Sequence, residues 1–259
     1  MGKVWLVGAG PGAPDLLTLR AARLLEAADI VFYDALVHPE TLALAKRARL
    51  VDVGKRNGKV STEQRFTNRA LVEAAKTHAT VVRLKGGDPM LFGRAHEELE
   101  ALAAAGIETE VVPGITAALA ASASLKLSLT RRGLSRNVAF VTPRAGEGQS
   151  PAEWLAVASS ADTVAMYMAA TQAAQVAADL IAAGRSPDTP AVFIENASLS
   201  NERRVATRLD SLRNGPAPTF EGPALLLVGE VFREVSLGAM EHEAEVRLAV
   251  TERCRARSA

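Results

Sequence analysis

The sequence predicts an α/β fold, read as two α/β domains in succession. Two observations carry that prediction. Through the first half, short β-branched runs alternate with apolar residues at helical spacing. A second series of strand-like runs then follows an Ala/Ser/Leu helix and a basic, Gly-containing loop. Alternation of this kind favours a parallel sheet with helices on its faces.

In the first half, residues 3–7, 30–33, 80–84 and 108–112 read as strands, with helical patterns over 16–27, 61–77 and 94–105. Ser61 with Gln64 makes a capping box for the second helix, and Gly106 is a natural stop for the third. In the second half the strands fall at 138–141, 163–166, 191–194, 203–206 and 224–228, and a helix over 172–183 stops at Gly184. Residues 203–206 follow their neighbour closely enough for a tight turn, so this sheet is expected to be mixed. The domains are placed at residues 1–118 and 119–240, with a charged tail over 241–259.

Composition narrows the partners. With 30 Lys+Arg against 29 Asp+Glu, the chain carries no overall field for nucleic acid. Its only cysteine is Cys254, so no intrachain disulfide is expected, in keeping with a reducing compartment. His38, His78, His96 and His242 are scattered without ligand spacing, so no metal site is expected. Met1 leads directly into a strand, and no apolar run is long enough for a bilayer. The expectation is a soluble cytoplasmic protein that binds neither nucleic acid nor membrane.

Parallel sheets bind ligands beyond the carboxyl ends of their strands. Here those ends run into Gly8-Ala9-Gly10-Pro11-Gly12-Ala13-Pro14-Asp15, Tyr33-Asp34, Lys85-Gly86-Gly87-Asp88-Pro89 and Pro113-Gly114-Ile115-Thr116. The first loop fits a dinucleotide fingerprint as Gly8-x-Gly10-x-x-Ala13. Its chemistry argues against a pyrophosphate. Pro11 and Pro14 lack N–H donors, and Asp15 sets a negative charge where phosphates would come in. Gly86, Gly87 and Asp88 instead offer carbonyls and a carboxylate, which suit a cationic or amino-bearing ligand.

These residues also carry a resemblance. The sequence resembles the uroporphyrinogen-III C-methyltransferases of the tetrapyrrole methylase group. It does so through Val7-Gly8-Ala9-Gly10-Pro11-Gly12, Leu16-Leu17-Thr18-Leu19, Tyr33-Asp34-Ala35-Leu36-Val37 and Val53-Gly54-Lys55-Arg56. The longest block is Val81-Val82-Arg83-Leu84-Lys85-Gly86-Gly87-Asp88-Pro89, followed by Phe92-Gly93-Arg94, Val111-Val112-Pro113-Gly114-Ile115-Thr116-Ala117 and Tyr167-Met168. The motifs run in order from about residue 3 to 235.

The resemblance implies a homodimer of two-domain α/β chains, each with its active site in the cleft between the domains. It implies S-adenosyl-L-methionine as cofactor, S-adenosyl-L-homocysteine as product, and two methyl transfers to uroporphyrinogen III that give precorrin-2 for sirohaem or cobalamin. By the family's pattern Pro11, Gly86, Gly87, Asp88, Leu91, Thr116, Ala117, Met168 and Ala197 contact the cofactor. Asp34 matches a proton acceptor and Lys55 a proton donor. A substrate with eight carboxylates calls for arginines, and Arg83, Arg94, Arg131 and Arg132 are the foremost candidates, with Arg136 and Arg144 behind them.

The sequence leaves the family pattern at Arg131, at Pro143-Arg144, at Ala169, at Ala95-His96 and over residues 57–62, where a histidine is often found. Other readings stay open: a later corrin-pathway methylase, a diphthamide methyltransferase, a non-catalytic tetrapyrrole-binding protein, or a dinucleotide oxidoreductase.

Overall fold

A computed structural model describes residues 1–54, 60–146, 148, 150 and 153–235, with the side chains of residues 60–63 left aside. The described chain forms two compact units. The first is Met1–Ala120 with Ser198–Ser200, and the second is Ala121–Ala197 with the described chain from Asn201 onward.

The first unit is built on β1 (Lys3–Gly8), β2 (Ile30–Tyr33), β3 (Arg49–Asp52), β4 (Thr80–Lys85) and β5 (Thr109–Val112), in the order β3-β2-β4-β1-β5. Every pairing is parallel, so all five carboxyl ends lie along one edge. Helices α1 (Leu19–Ala27), α2 (Pro39–Leu42), α3 (Val60–Thr77) and α4 (Ala95–Ala104) connect them. One face packs Val4, Leu6, Phe32 and Val81 under Leu71, Ala75, Ala95 and Leu102 of α3 and α4. The other packs Val7, Val31, Val82, Leu84 and Val112 under Ala21 and Leu25 of α1. The alternation of β4, with Val82 and Leu84 on one face and Val81, Arg83 and Lys85 on the other, follows the two-residue period of a strand.

The four expected strands are present. The fifth, β3, has no counterpart in the sequence reading, because Arg-Leu-Val-Asp at a sheet edge is mostly exposed and shows no apolar alternation. The first helix also differs. A short 3-10 turn spans Pro14–Leu16, and α1 begins only after Thr18, whose Oγ1 accepts the Ala21 N–H at 3.1 Å. That hydroxyl cap sets the helix start where periodicity alone placed it earlier.

Helix α5 (Ala117–Leu125) begins in the first unit and ends in the second, which continues with β6 (Val138–Val141), α6 (Glu153–Ser160), β7 (Thr163–Met166), α7 (Ala173–Ala182), β8 (Pro190–Glu195), β9 (Arg203–Arg208), α8 (Leu209–Asn214) and β10 (Ala224–Gly229). The sheet order is β6-β7-β10-β8-β9. Only β6 and β7 pair in parallel, while β10 and β8 are antiparallel to their neighbours. The mixed sheet expected from the close spacing of β8 and β9 is therefore present. Its core gathers Met166, Val176, Leu180, Phe193, Leu209 and Leu226. Among the described residues no helix is long and apolar enough to cross a membrane. The side chain of Ser61 and the tail over 241–259 lie outside the described residues.

Candidate active site

The loops after the three adjacent strands β4, β1 and β5 are fused backbone to backbone. Gly10 and Gly87 form an isolated bridge, in which the Gly87 N–H donates to Gly10 at 2.7 Å and the Gly10 N–H donates back at 3.2 Å. A Cβ on Gly8 would lie 2.6 Å from the Gly114 backbone, and one on Gly114 would lie 2.3 Å from the Gly87 carbonyl oxygen. No side chain fits at either position, which explains why glycine recurs at the ends of three strands distant in sequence. Gly87 adopts φ +67°, a backbone that glycine takes without steric cost.

Asp88 ties this rim together. Its Oδ2 accepts the Gly114 N–H at 2.9 Å and its Oδ1 accepts the Met90 N–H at 2.8 Å. The carboxylate thus braces two loops as well as adding charge to them. Gly86 is half-buried, and its N–H and carbonyl make no backbone hydrogen bond to a described residue. Thr116 lies beside Gly87, with its Cα 3.9 Å from where a Gly87 Cβ would stand. The carbonyl of Thr116 accepts the first amide donors of the helix that begins at Ala117. Pro11 and Leu91 are half-buried near the same loops. Ser198 joins the first unit here, its Oγ accepting the Ala13 N–H at 3.0 Å.

Beside this rim stands Asp34. It follows β2, the immediate neighbour of β4, and starts a tight turn in which the Val37 N–H donates to the Asp34 carbonyl at 3.2 Å. Asp34 Oδ1 accepts the Leu36 N–H at 3.2 Å. The β-carbon of Leu36 lies 2.7 Å from where a Gly86 Cβ would stand, so the Asp34 turn and the glycine loop touch. The exit of β3 packs on the same turn: a Cβ on Gly54 would meet the Ala35 amide at 2.8 Å, and Asp52 Oδ1 accepts the Gly54 N–H at 2.7 Å. Lys55, the expected proton donor, lies outside the described residues.

Below Asp34 lies a buried charge cluster that the sequence reading missed. Arg83, Lys85 and Glu98 are all buried, Glu98 completely. Arg83 Nε donates to Glu98 Oε1 at 3.0 Å, Nη1 donates to the Leu84 carbonyl at 3.0 Å, and Nη2 stands 3.6 Å from Asp34 Oδ2. Lys85 Nζ lies 3.2 Å from each Glu98 oxygen, and Gln64 Nε2 donates to Oε1 at 3.2 Å. Burial lowers the Lys85 pKa, the neighbouring Arg83 charge lowers it further, and Glu98 opposes both. Arg83 was expected to grip a substrate carboxylate. The structure instead turns its guanidinium inward, because β4 is a central strand covered on both faces.

The other expected arginines are exposed or partly so. Arg94 forms a two-pronged contact with Glu97 at 2.6 and 2.7 Å. Phe92 and Arg94 hold left-handed backbone at φ +51° and +55°, a conformation that costs about 1–3 kcal/mol in such residues. In the second unit, Arg131 Nη1 donates to Glu234 at 3.1 Å, while Arg132, Arg136 and Arg144 are exposed. Met168 is exposed with φ +57°, and Ala197 is buried just after β8. The departure at Ala169 is sterically mild, since that residue sits at φ −92° and needs no glycine.

Comparison with known proteins agrees with this architecture. A family model described as Tetrapyrrole (Corrin/Porphyrin) Methylases matches residues 3–213. A uroporphyrinogen-III C-methyltransferase of Pseudomonas aeruginosa is 48% identical over 235 residues, covering 90% of this chain and 96% of that protein. A siroheme synthase of Klebsiella pneumoniae is 46% identical over 231 residues, which are 89% of this chain but 49% of that longer protein. The crystal structure of a Thermus thermophilus uroporphyrin-III C-methyl transferase complexed with S-adenyl homocysteine superposes with a TM-score of 0.78 at 42% identity, covering 90% of this chain and 99% of that one. On the family match and on these likenesses, the chain belongs to the tetrapyrrole (corrin/porphyrin) methylase family.

Proposed function

We propose that the chain catalyses the S-adenosylmethionine-dependent C-methylation of uroporphyrinogen III, with two methyl transfers giving precorrin-2 for sirohaem or cobalamin. The observation that carries this reading is the contact between the Gly86 loop and the Asp34 turn on one edge of the parallel sheet. It sets the Gly86 amide and carbonyl beside a partly exposed carboxylate. The likeness to uroporphyrinogen-III C-methyltransferases over nine-tenths of the chain supports the substrate.

The rim fits the cofactor's chemistry. Its bare glycine backbone leaves room for close approach, and acceptors suit a ligand bearing ammonium and sulfonium groups. When bound, S-adenosylmethionine supplies an electrophilic methyl on a good leaving group. The chain's part is to orient the reduced pyrrole and manage its proton. The ring carbon that takes the methyl already bears an acidic arm and becomes quaternary, so Asp34 Oδ2 accepts the proton that the cationic ring sheds from its nitrogen or the adjoining bridge carbon, which returns the ring to neutrality. Lys55 acts as proton donor. Pro11, Gly86, Gly87, Asp88, Leu91, Thr116 and Ala117 hold the cofactor, and Met168 and Ala197 of the second unit are assigned to it as well. Arg94, Arg131 and Arg132 bind carboxylate arms of the substrate, while Arg83 serves Asp34. The same reading takes the enzyme as a cytoplasmic homodimer.

The test is incubation with uroporphyrinogen III and methyl-labelled S-adenosylmethionine. Two labels per tetrapyrrole are expected. An unlabelled tetrapyrrole, with calorimetry still showing S-adenosylhomocysteine bound, would move the chain to another substrate of the same family. Sedimentation analysis reads the dimer.

A further inference from the structure

We propose that Glu98 is a positioning residue that acts through Arg83 to aim and hold the Asp34 carboxylate; this rests on Asp34 being the proton acceptor. The argument is geometric. On α4, Ala95, Glu98 and Leu102 share the buried stripe, so Glu98 faces the strand that carries Arg83 and Lys85. A fully buried carboxylate is costly unless its lone pairs are taken up, and Glu98 has Arg83, Lys85 and Gln64 on them. Lys85 spans both oxygens and so fixes the orientation of the carboxylate.

The guanidinium is a rigid planar fork. Once Nε is held by Glu98 and Nη1 by the Leu84 carbonyl, the direction of Nη2 is set, and it points at Asp34 Oδ2. The 3.6 Å separation is an ion pair longer than a hydrogen bond. Oδ2 therefore feels the cation yet keeps a lone pair for an incoming proton. Oδ1 is already taken by the Leu36 amide, which leaves Oδ2 as the reactive oxygen. The two cations Arg83 and Lys85 balance the two carboxylates Asp34 and Glu98, so the unit is neutral as built. A core filler would need none of this; an apolar residue would pack as well beside Ala95 and Leu102.

The test compares Glu98→Gln with the double variant Glu98→Gln/Lys85→Met, which removes one charge of each sign and relieves the unpaired lysine. In Glu98→Gln, kcat for methyl transfer is expected to fall about ten- to a hundredfold, with KM for uroporphyrinogen III and the affinity for S-adenosylhomocysteine within about twofold. In the double variant Tm recovers while kcat stays low. In an Asp34→Asn background, adding Glu98→Gln changes the residual rate no further. Recovery of kcat together with Tm, or an undiminished effect of Glu98→Gln without Asp34, overturns the proposal. A readout independent of turnover is the carboxyl-carbon NMR resonance of Asp34, assigned through Asp34→Asn. It moves in Glu98→Gln if the relay exists, and an unmoved resonance overturns the proposal whatever the substrate. If instead Asp34→Asn keeps the full rate, the assignment of Asp34 as acceptor fails, and the Glu98 relay falls with it.

Discussion

Asp88 Oδ2 and the Gly114 amide meet at 2.9 Å, joining the loop after β4 to the loop after β5 across the intervening strand β1. The bond links two segments that are far apart in sequence and holds the edge on which the glycines converge. An Asp88→Asn side chain keeps a single acceptor oxygen and turns an NH2 group toward one of two amide donors. Stability is expected to drop by about 1–3 kcal/mol, the usual cost of leaving a partly buried donor unsatisfied. S-adenosylhomocysteine affinity falls with it, because the rim loosens. Thermal unfolding and calorimetric titration check both, and full affinity in Asp88→Asn would show that the brace is dispensable.

The contact of Gly8 with Gly114 predicts a sharper effect. Gly8→Ala sets a methyl 2.6 Å from the Gly114 backbone and 2.7 Å from the Gly87 carbonyl oxygen, with no flexible side chain to give way. The two loops must part, at about 1–3 kcal/mol for overpacking of this kind. Binding of S-adenosylhomocysteine is expected to be lost ahead of folding. A variant that binds normally would mean that the three loops need not touch.

Asp34→Asn is close in shape and keeps an oxygen for the Leu36 amide, but it removes the carboxylate proposed as the base. Methyl transfer is expected to fall about a hundred- to ten-thousandfold. Affinity for S-adenosylhomocysteine stays near wild type, since the glycine loop keeps its own bonds. Parallel loss of rate and affinity would reassign Asp34 to the binding site. The removed carboxylate also leaves Arg83 with Glu98 and the Leu84 carbonyl, so a modest change in Tm is expected.

The reach of the sequence can be judged residue by residue. The parallel sheet and the meeting of its loops were legible because β1, β2 and β4 are β-branched and end in Gly, Pro or Asp. The strand β3 was hidden by its place at the edge, and α6 and α8 by their short length and weak patterning. Asp34 was legible only through the family motif; nothing in Tyr-Asp-Ala sets it apart from a helix cap. The burial of Arg83 was not legible, since a charge in a sequence suggests exposure. The signal was nonetheless there. A strand flanked on both sides and covered on both faces cannot leave Arg83 and Lys85 unpaired, and the apolar stripe of α4 is broken by one acidic residue, Glu98. Matching those two anomalies would have paired the residues without coordinates.

The second unit offers a prediction in which pH is the probe. Glu195 is buried at the end of β8, where it accepts the amides of Glu221 and Gly222 and the Arg203 guanidinium, the last at 2.8 Å. The Gly222 amide, then Arg203 and the Glu221 amide, favour the ionised form and hold its pKa below the ordinary value of 4.5, against the opposing effect of burial. A carboxyl whose folded-state pKa is depressed stabilises the protein above its unfolded-state value, and that contribution is lost as the pH falls through the folded-state value. Wild-type Tm should therefore drop steeply as the pH is lowered from about 5 toward 3. Glu195→Gln should start lower at neutral pH and fall less over the same interval, so that the two curves converge in acid. Curves that stay parallel would assign the acid sensitivity to other carboxylates and leave Glu195 as packing alone.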